Sequence, residues 1–287
     1  MRFILALLAL ACLTQPAFGQ FHDDAGNTVN LTKPARRIVS LSPAITENLF
    51  AIGAGDYVIG TSTYSDYPVA AKSIPIVADH QSVDLEKIAT LKPDVIIVWQ
   101  GGISSAQIPA LTRLGIPLYT HSAKQLSDIP LALMRLANLT GTERQAAAVV
   151  LSAYQDIQLI ADAPSLALPT FYQVWHSPLM TLNRHSWVSD ALTRCGARNI
   201  FSELNVTAPT VGMEDVLQRQ PAILYTATPQ GQADDSLKMW RKWDSLLAVR
   251  ANNFLYTDSD AMNRATLRTL TAAKKMCADI AQARARL

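Results

Sequence analysis

A sixteen-residue pattern occurs twice in this chain, 128 positions apart: VDLEKIATLKPDVIIV at 83–98 and VGMEDVLQRQPAILYT at 211–226. In each copy an acidic residue, Glu86 or Glu214, opens a stretch with apolar residues at helical spacing: Leu85, Ile88 and Ala89 in the first, Met213, Val216 and Leu217 in the second. Pro93 and Pro221 end these stretches, since proline has no N–H with which to continue a helix. The run after each proline is apolar, short and rich in β-branched residues, the signature of a strand covered on both faces. Each copy is half of an α/β unit. Two such units, each near the middle of its own half of the chain, predict two similar lobes with a ligand held between them.

The rest of the chain extends this alternation. Residues 20–37 read as a polar arm with one strand at 28–31, followed by strands at RIVSL, DYVIGTS, DVIIVW and IPLYTH with helical stretches between them. Alternating strands and helices predict a parallel sheet. Over 142–163 there is neither glycine nor proline, so one continuous helix is expected between Gly141 and Pro164. The pattern then restarts with TFYQVW, a helix around 189–194, the second copy of the repeat, the strand NFLYT and a final helix over 263–285. The predicted fold class is α/β: two Rossmann-like lobes with parallel central sheets, at 20–141 and 164–287, joined by one long α-helix at 142–163, with the ligand cleft between them. A stiff helix as the only crossover predicts closure by a small angle.

Residues 1–19 are set apart. Arg2 supplies a positive start, an unbroken apolar run follows, and Ala17-Phe18-Gly19 places small residues where a signal peptidase reads, so a secretory signal peptide with cleavage before Gln20 is expected. The alternative, a lipid on Cys12, meets Ala9 three residues earlier, where a bulky aliphatic is usual. No later run approaches the ~20 apolar residues of a membrane span. Export to the periplasm is the expectation. The net charge of +2 and scattered basic residues argue against nucleic acid as a partner. Beyond the leader, Cys195 and Cys277 remain, and an oxidising compartment predicts a disulfide between them; a reactive thiol pair lacks the CxxC spacing.

Parallel sheets bind ligands beyond the carboxyl ends of their strands. The residues at those ends are Ser42-Pro43, Tyr64, Trp99 with Gln100, Gly101 and Gly102, Trp175-His176, Thr226-Ala227 and Asp258-Ser259-Asp260. Aromatic and polar groups recur there, which suits a large flat ligand with polar edges. Taken singly, Trp99 or Trp175 reads equally well as core, but their matching positions favour the cleft. His80 and His176 lack HxxxH, HxH or Cys/His spacing, so no metal site is expected. There is no GxSxG elbow or glycine-rich phosphate loop, so the chain is not read as an enzyme. A carboxylate in a helix's first turn is favoured by the dipole. The equivalence of Glu86 and Glu214 under the repeat nevertheless predicts two acidic knobs, one per lobe, for docking on a symmetric partner with arginine pockets.

RIVSLSPAITE at 37–47, STYSDYP at 62–68, LEKIATLKPDVIIVWQGG at 85–102, CGARNIF at 195–201 and DSDAMNRA at 258–265 carry a resemblance. From about Arg36 onward the chain resembles the periplasmic cobalamin-binding proteins, receptors of ABC importers in the class whose lobes are joined by one rigid helix. The resemblance implies a corrinoid as ligand rather than a cofactor, a permease dimer as partner, and a monomeric receptor. It places Tyr64, Trp99, Asp260 and Arg264 in the ligand cleft, Glu86 and Glu214 on the permease, and Cys195 with Cys277 in the family disulfide.

The chain also departs from the family pattern. His80 and Ala208 stand where tryptophans are usual, Ala261-Met262 replaces a tryptophan-phenylalanine pair, and Val174 replaces a phenylalanine, with Trp175 one place along. Either the same ligand is held by other contacts or another corrinoid, haem or an iron siderophore is bound. An imidazole at position 80 is able to coordinate cobalt or iron axially, which a tryptophan is not.

Overall fold

The computed structural model describes residues 19–160, 166–229 and 235–287; the leader predicted at the start of the chain lies outside them up to residue 18. The described residues begin with an antiparallel hairpin, β1 (Gly19–His22) and β2 (Thr28–Leu31). Next come β3 (Ile38–Ser40), α1 (Pro43–Ala51), β4 (Val58–Ser62), β5 (Ile76–Ala78), α2 (Leu85–Leu91), β6 (Val95–Trp99), α3 (Ile108–Thr112), β7 (Leu118–His121) and α4 (Asp128–Thr140). These strands form a parallel sheet in the order β5-β4-β3-β6-β7.

The crossover is α5 (Glu143–Leu159). Beyond it lie β8 (Leu168–Gln173), the short hairpin β9 (Trp175–His176) and β10 (Leu179–Met180), α6 (Trp187–Arg194), β11 (Ala197–Asn199), α7 (Met213–Arg219), β12 (Ile223–Thr228), α8 (Leu247–Arg250), β13 (Phe254–Asp258), α9 (Ser259–Met262) and α10 (Leu267–Arg284). The second parallel sheet has the order β11-β8-β12-β13. Strand order reverses between β3 and β6 in one lobe and between β8 and β12 in the other, the positions where open α/β sheets leave a crevice.

The two copies of the repeat are α2–β6 and α7–β12, and they fill the same slot in each lobe. Each supplies the strand across the reversal point, with Val95 opposite Ile38 and Ile223 opposite Thr170. Both helices end on a left-handed residue, Lys92 (φ 48°) and Gln220 (φ 45°), directly before the proline that turns the chain into the strand. Among the elements the pattern leaves unpredicted are β5, β11 and α4: two strands of three residues, and a helix in a stretch with no repeat partner.

Packing fixes how the lobes relate. The outer face of the first sheet is covered by one apolar cluster, with Val39, Ile88 and Leu111, and that of the second by another, with Phe171, Phe201 and Trp240. The inner faces instead share a single cluster that runs from Ile38 and Tyr119 through Leu133 and Ala153 to Tyr172 and Met276. Helix α5 lies in this shared layer, against α4 on one side and α10 on the other. Its buried residues include the small Ala146 and Ala153, which let the backbones approach closely, and Lys274 of α10 pairs with Asp156. The helix is regular to Leu159 and Ile160 is extended, so it ends before the predicted residue 163; residues 161–165 lie outside those described. No described helix is long and apolar enough to cross a membrane.

Cys195, capping α6, is bonded to Cys277 in α10 across a sequence separation of 82. A covalent loop of that length restricts the unfolded chain by about 4 kcal/mol on the chain-entropy account. Reduction, or Cys195→Ala with Cys277→Ala, is therefore expected to lower the urea midpoint and to steepen the slope, because the unlinked chain unfolds to a more open state, as read by tryptophan fluorescence. An unchanged midpoint would show that the bond contributes nothing to stability.

Candidate functional site

The strand ends converge on two cavities that meet at one side chain. The larger, about 520 Å³, is lined from the first lobe by Trp99, Gln100 and residues 122–124, and from the second by Val174, Leu182, His185, Trp187 and Asn263 among others. The smaller, about 210 Å³, is enclosed by Ser42, Pro43, Tyr64, His80, Trp99 and Gly102. Trp99, at the end of β6, lines both.

Its orientation is over-determined. The indole meets His121 edge-on at 5.1 Å between ring centroids and Trp187 at 5.9 Å, so an aromatic contact bridges the lobes at the cleft floor. Trp187 is held in turn by its Nε1–H, which donates to the Met262 carbonyl at 2.8 Å. The chain folds back after Trp99 through a turn in which Gly102 N–H donates to the Trp99 carbonyl at 2.9 Å; a Cβ on Gly102 would lie 2.9 Å from that of Trp99, so only glycine fits.

Behind the floor, His121 is fully buried with Nδ1 2.8 Å from Asp24 Oδ2, an oxygen that also accepts from Ser122 N–H at 2.7 Å. Asp24 belongs to the turn of the N-terminal hairpin and also pairs with Arg135. Burial alone would raise this carboxyl, but the hydrogen bonds from His121 and Ser122 and the positive charges outweigh it and hold the group below the usual carboxylate range. The hairpin is thereby pinned against the wall that carries Trp99.

Tyr64 and His80 enter the smaller cavity from two turns. Tyr64 has φ 64° and is 75% exposed, an uncommon left-handed conformation for a bulky residue that costs on the order of 1 kcal/mol. His80 sits in the turn from β5 to α2, where the Asp79 carboxylate accepts from the Gln81 and Ser82 N–H groups, both at 2.7 Å. Those two hydrogen bonds hold Asp79 below its ordinary range.

The other candidates lie elsewhere. Trp175 is 55% exposed on the β9–β10 hairpin, its Nε1–H given to the Ser177 carbonyl, while Val174 lines the larger cavity in its place. Asp260 and Arg264 join an ionic bridge between lobes: Arg264, only 12% exposed, contacts Asp66 Oδ1 at 2.9 Å and Asp260 Oδ1 at 3.1 Å. A second bridge pairs Arg268 with the buried Glu47 through two hydrogen bonds of 2.9 and 2.5 Å. Ala261 and Met262 are buried in the shared core. Sequence reading at strand ends missed Trp187, His185 and Lys124, which come from segments after β10 and β7; the polar NRHSW run before α6 was the available signal.

Glu86 and Glu214 both occupy the first turn of their helices and are exposed. Each helix runs antiparallel to the strand that follows it, so both carboxylates stand on the cleft edge of their sheets, one per lobe. Among the described residues no group of three or more His, Cys, Asp or Glu is placed to hold a metal ion.

Residues 38–261 match the family model described as periplasmic binding protein. A vitamin B12-binding protein of Vibrio cholerae is 35% identical over 248 residues, 85% of this chain and 88% of that protein. The crystal structure of the periplasmic vitamin B12 binding protein BtuF of Vibrio cholerae superposes with a TM-score of 0.78 at 33% identity, covering 88% of this chain and 98% of that one. A periplasmic heme-binding protein, BhuT, in complex with two hemes shares the fold at a TM-score of 0.74 and 16% identity.

The Asp66–Arg264 pair joins the segments that carry Tyr64 and Asn263, one from each cavity. Burial raises the Asp66 carboxyl, but the hydrogen bond and charge of Arg264 outweigh it and the net shift is downward. A carboxyl with a lower pKa folded than unfolded stabilises the fold above the unfolded value, about 4, and that contribution is lost as pH falls through the lowered one. Asp66→Asn is expected to lower the thermal midpoint by about 2 °C at pH 7. The deficit should narrow below pH 4, and a deficit constant down to pH 3 would contradict the ionic account.

Proposed function

The chain belongs to the periplasmic binding protein family, and we propose that it captures cobalamin or a related corrinoid in the cleft and delivers it to an ABC importer. One observation carries this reading: two cavities joined at Trp99, with an aromatic contact from Trp99 to Trp187 across the lobes, give a broad cleft whose walls carry both aromatic and polar side chains. A corrin ring fits such walls, and its peripheral amides suit Gln100, Ser122, Thr207 and Asn263. Tyr64, His80, Trp99 and Val174 are the side chains proposed against the ligand, with Trp175 at its edge and Asp260 and Arg264 fixing the lobes beside it. The protein works in the periplasm as a non-catalytic receptor and as a monomer.

The exposed Glu86 and Glu214 supply docking, one carboxylate per lobe for the arginine pockets of a permease dimer. Haem is the second reading, favoured by one observation: His80 and Tyr64 line the same cavity, and both are able to ligate iron.

Calorimetric and visible-absorption titration of the protein with cyanocobalamin should give one-to-one binding, with haemin weaker. Binding of haemin without cyanocobalamin would reverse the assignment, and loss of the bound haemin spectrum in His80→Ala would then name the ligating residue. Glu86→Ala with Glu214→Ala is expected to leave cyanocobalamin affinity intact while abolishing stimulation of a reconstituted vitamin B12 importer's ATPase. Full stimulation by that variant would exclude the docking role.

A further inference from the structure

A third cavity, about 290 Å³, adjoins the ligand cleft and shares Lys124 and His185 with its larger part. Its wall also carries Arg184 and Arg198. These groups come from three separate places: Lys124 from the segment after β7 in the first lobe, Arg184 and His185 from the segment before α6, and Arg198 from β11. Their convergence is a product of the fold, since no basic run exists in the sequence.

The pocket is short of negative charge. Asp190 is the one carboxylate among its lining residues, and it is already committed: its Oδ2 accepts from Arg194 Nε at 3.1 Å and from the Leu126 N–H at 2.9 Å. Glu203, whose carboxylate also feels the charge of Arg198, is paired with Arg219 at 2.6 Å. Lys124, Arg184 and Arg198 are all exposed, and none forms an ion pair among the described residues. Like charges held together without direct ion pairs repel one another, so the arrangement is relieved by an anion of matching size.

We propose that this pocket is an anion subsite of the cleft and takes a phosphodiester carried by the ligand. The inference rests on the corrinoid reading above and adds a selectivity to it. Cyanocobalamin carries one phosphodiester in its nucleotide loop and cobinamide carries none. With the corrin against Trp99 and Trp187, a side arm passing Lys124 and His185 reaches Arg184 and Arg198. The receptor therefore prefers complete, phosphate-bearing corrinoids to truncated ones, by charge rather than by contact with the ring.

The test compares cyanocobalamin and dicyanocobinamide on the whole protein, on Arg184→Ala with Arg198→Ala, and on Arg198→Glu, with Arg144→Ala on the exposed side of α5 as a control for net charge. The double variant should bind cyanocobalamin about tenfold more weakly and lose most of its dependence on salt, with cobinamide affinity unchanged. Arg198→Glu should weaken cyanocobalamin further, and Arg144→Ala should change neither. Equal losses for both corrinoids, or no loss for either, would overturn the subsite while leaving the corrinoid reading in place. No binding of either corrinoid by the unaltered protein would overturn both. Inorganic phosphate titrated alone separates the sources: heat from phosphate without any cyanocobalamin preference would assign the pocket to the free ion and overturn the ligand-borne reading.

Discussion

The burial of two sheets against one helical layer is the constraint from which the rest of the molecule follows. Each sheet has an outer cover of its own, but the inner faces have only the shared cluster that includes Leu133, Ala153 and Met276. Separating the lobes would expose that apolar layer to water, at a cost that grows with every side chain uncovered. The shared layer therefore opposes separation of the lobes, and the cleft lies between their strand ends. The ionic bridges from Arg264 to Asp66 and from Arg268 to Glu47 fix the same relationship at the surface. Asn48 adds a hydrogen bond to the Ala265 carbonyl at 3.1 Å.

The cleft places the demand for fit on the side chains that line it. Trp99 meets that demand by being wedged between His121 and Trp187, with Gly102 folded tightly against it. The Asp24–His121 contact extends the support to the N-terminal hairpin, so a segment far from the cleft in sequence becomes part of its foundation. The left-handed Tyr64 belongs to the same economy of rigid parts: its backbone is held by short-range turns while its ring remains available.

Much of this was legible in the sequence, for reasons that can be stated residue by residue. The repeat announced itself because a buried strand after a proline needs continuous apolar residues, and both copies have them on either side of the strand's sheet. Tyr64 and Trp99 stand out by asking what stands at strand ends and His80 as a departure from the family pattern, and the structure brings these three to one cavity. Strands of three residues such as β5 and β11 carry too little pattern to be seen alone; their neighbours define them. The same limit applies to Trp175. A strand-end tryptophan was expected in the cleft, but the chain turns into a hairpin one residue earlier, leaving Val174 at the wall. Ionic bridges between residues nearly two hundred positions apart, such as Asp66 and Arg264, leave no local trace.

The edge-on contact of Trp99 with Trp187 also has an optical meaning. Both indoles border the larger cavity, and Trp99 the smaller one as well, so an absorbing ligand in either place lies within easy range of their excited states. The cleft thus contains its own emitters, and its occupancy is written into the protein's ultraviolet fluorescence without any added label.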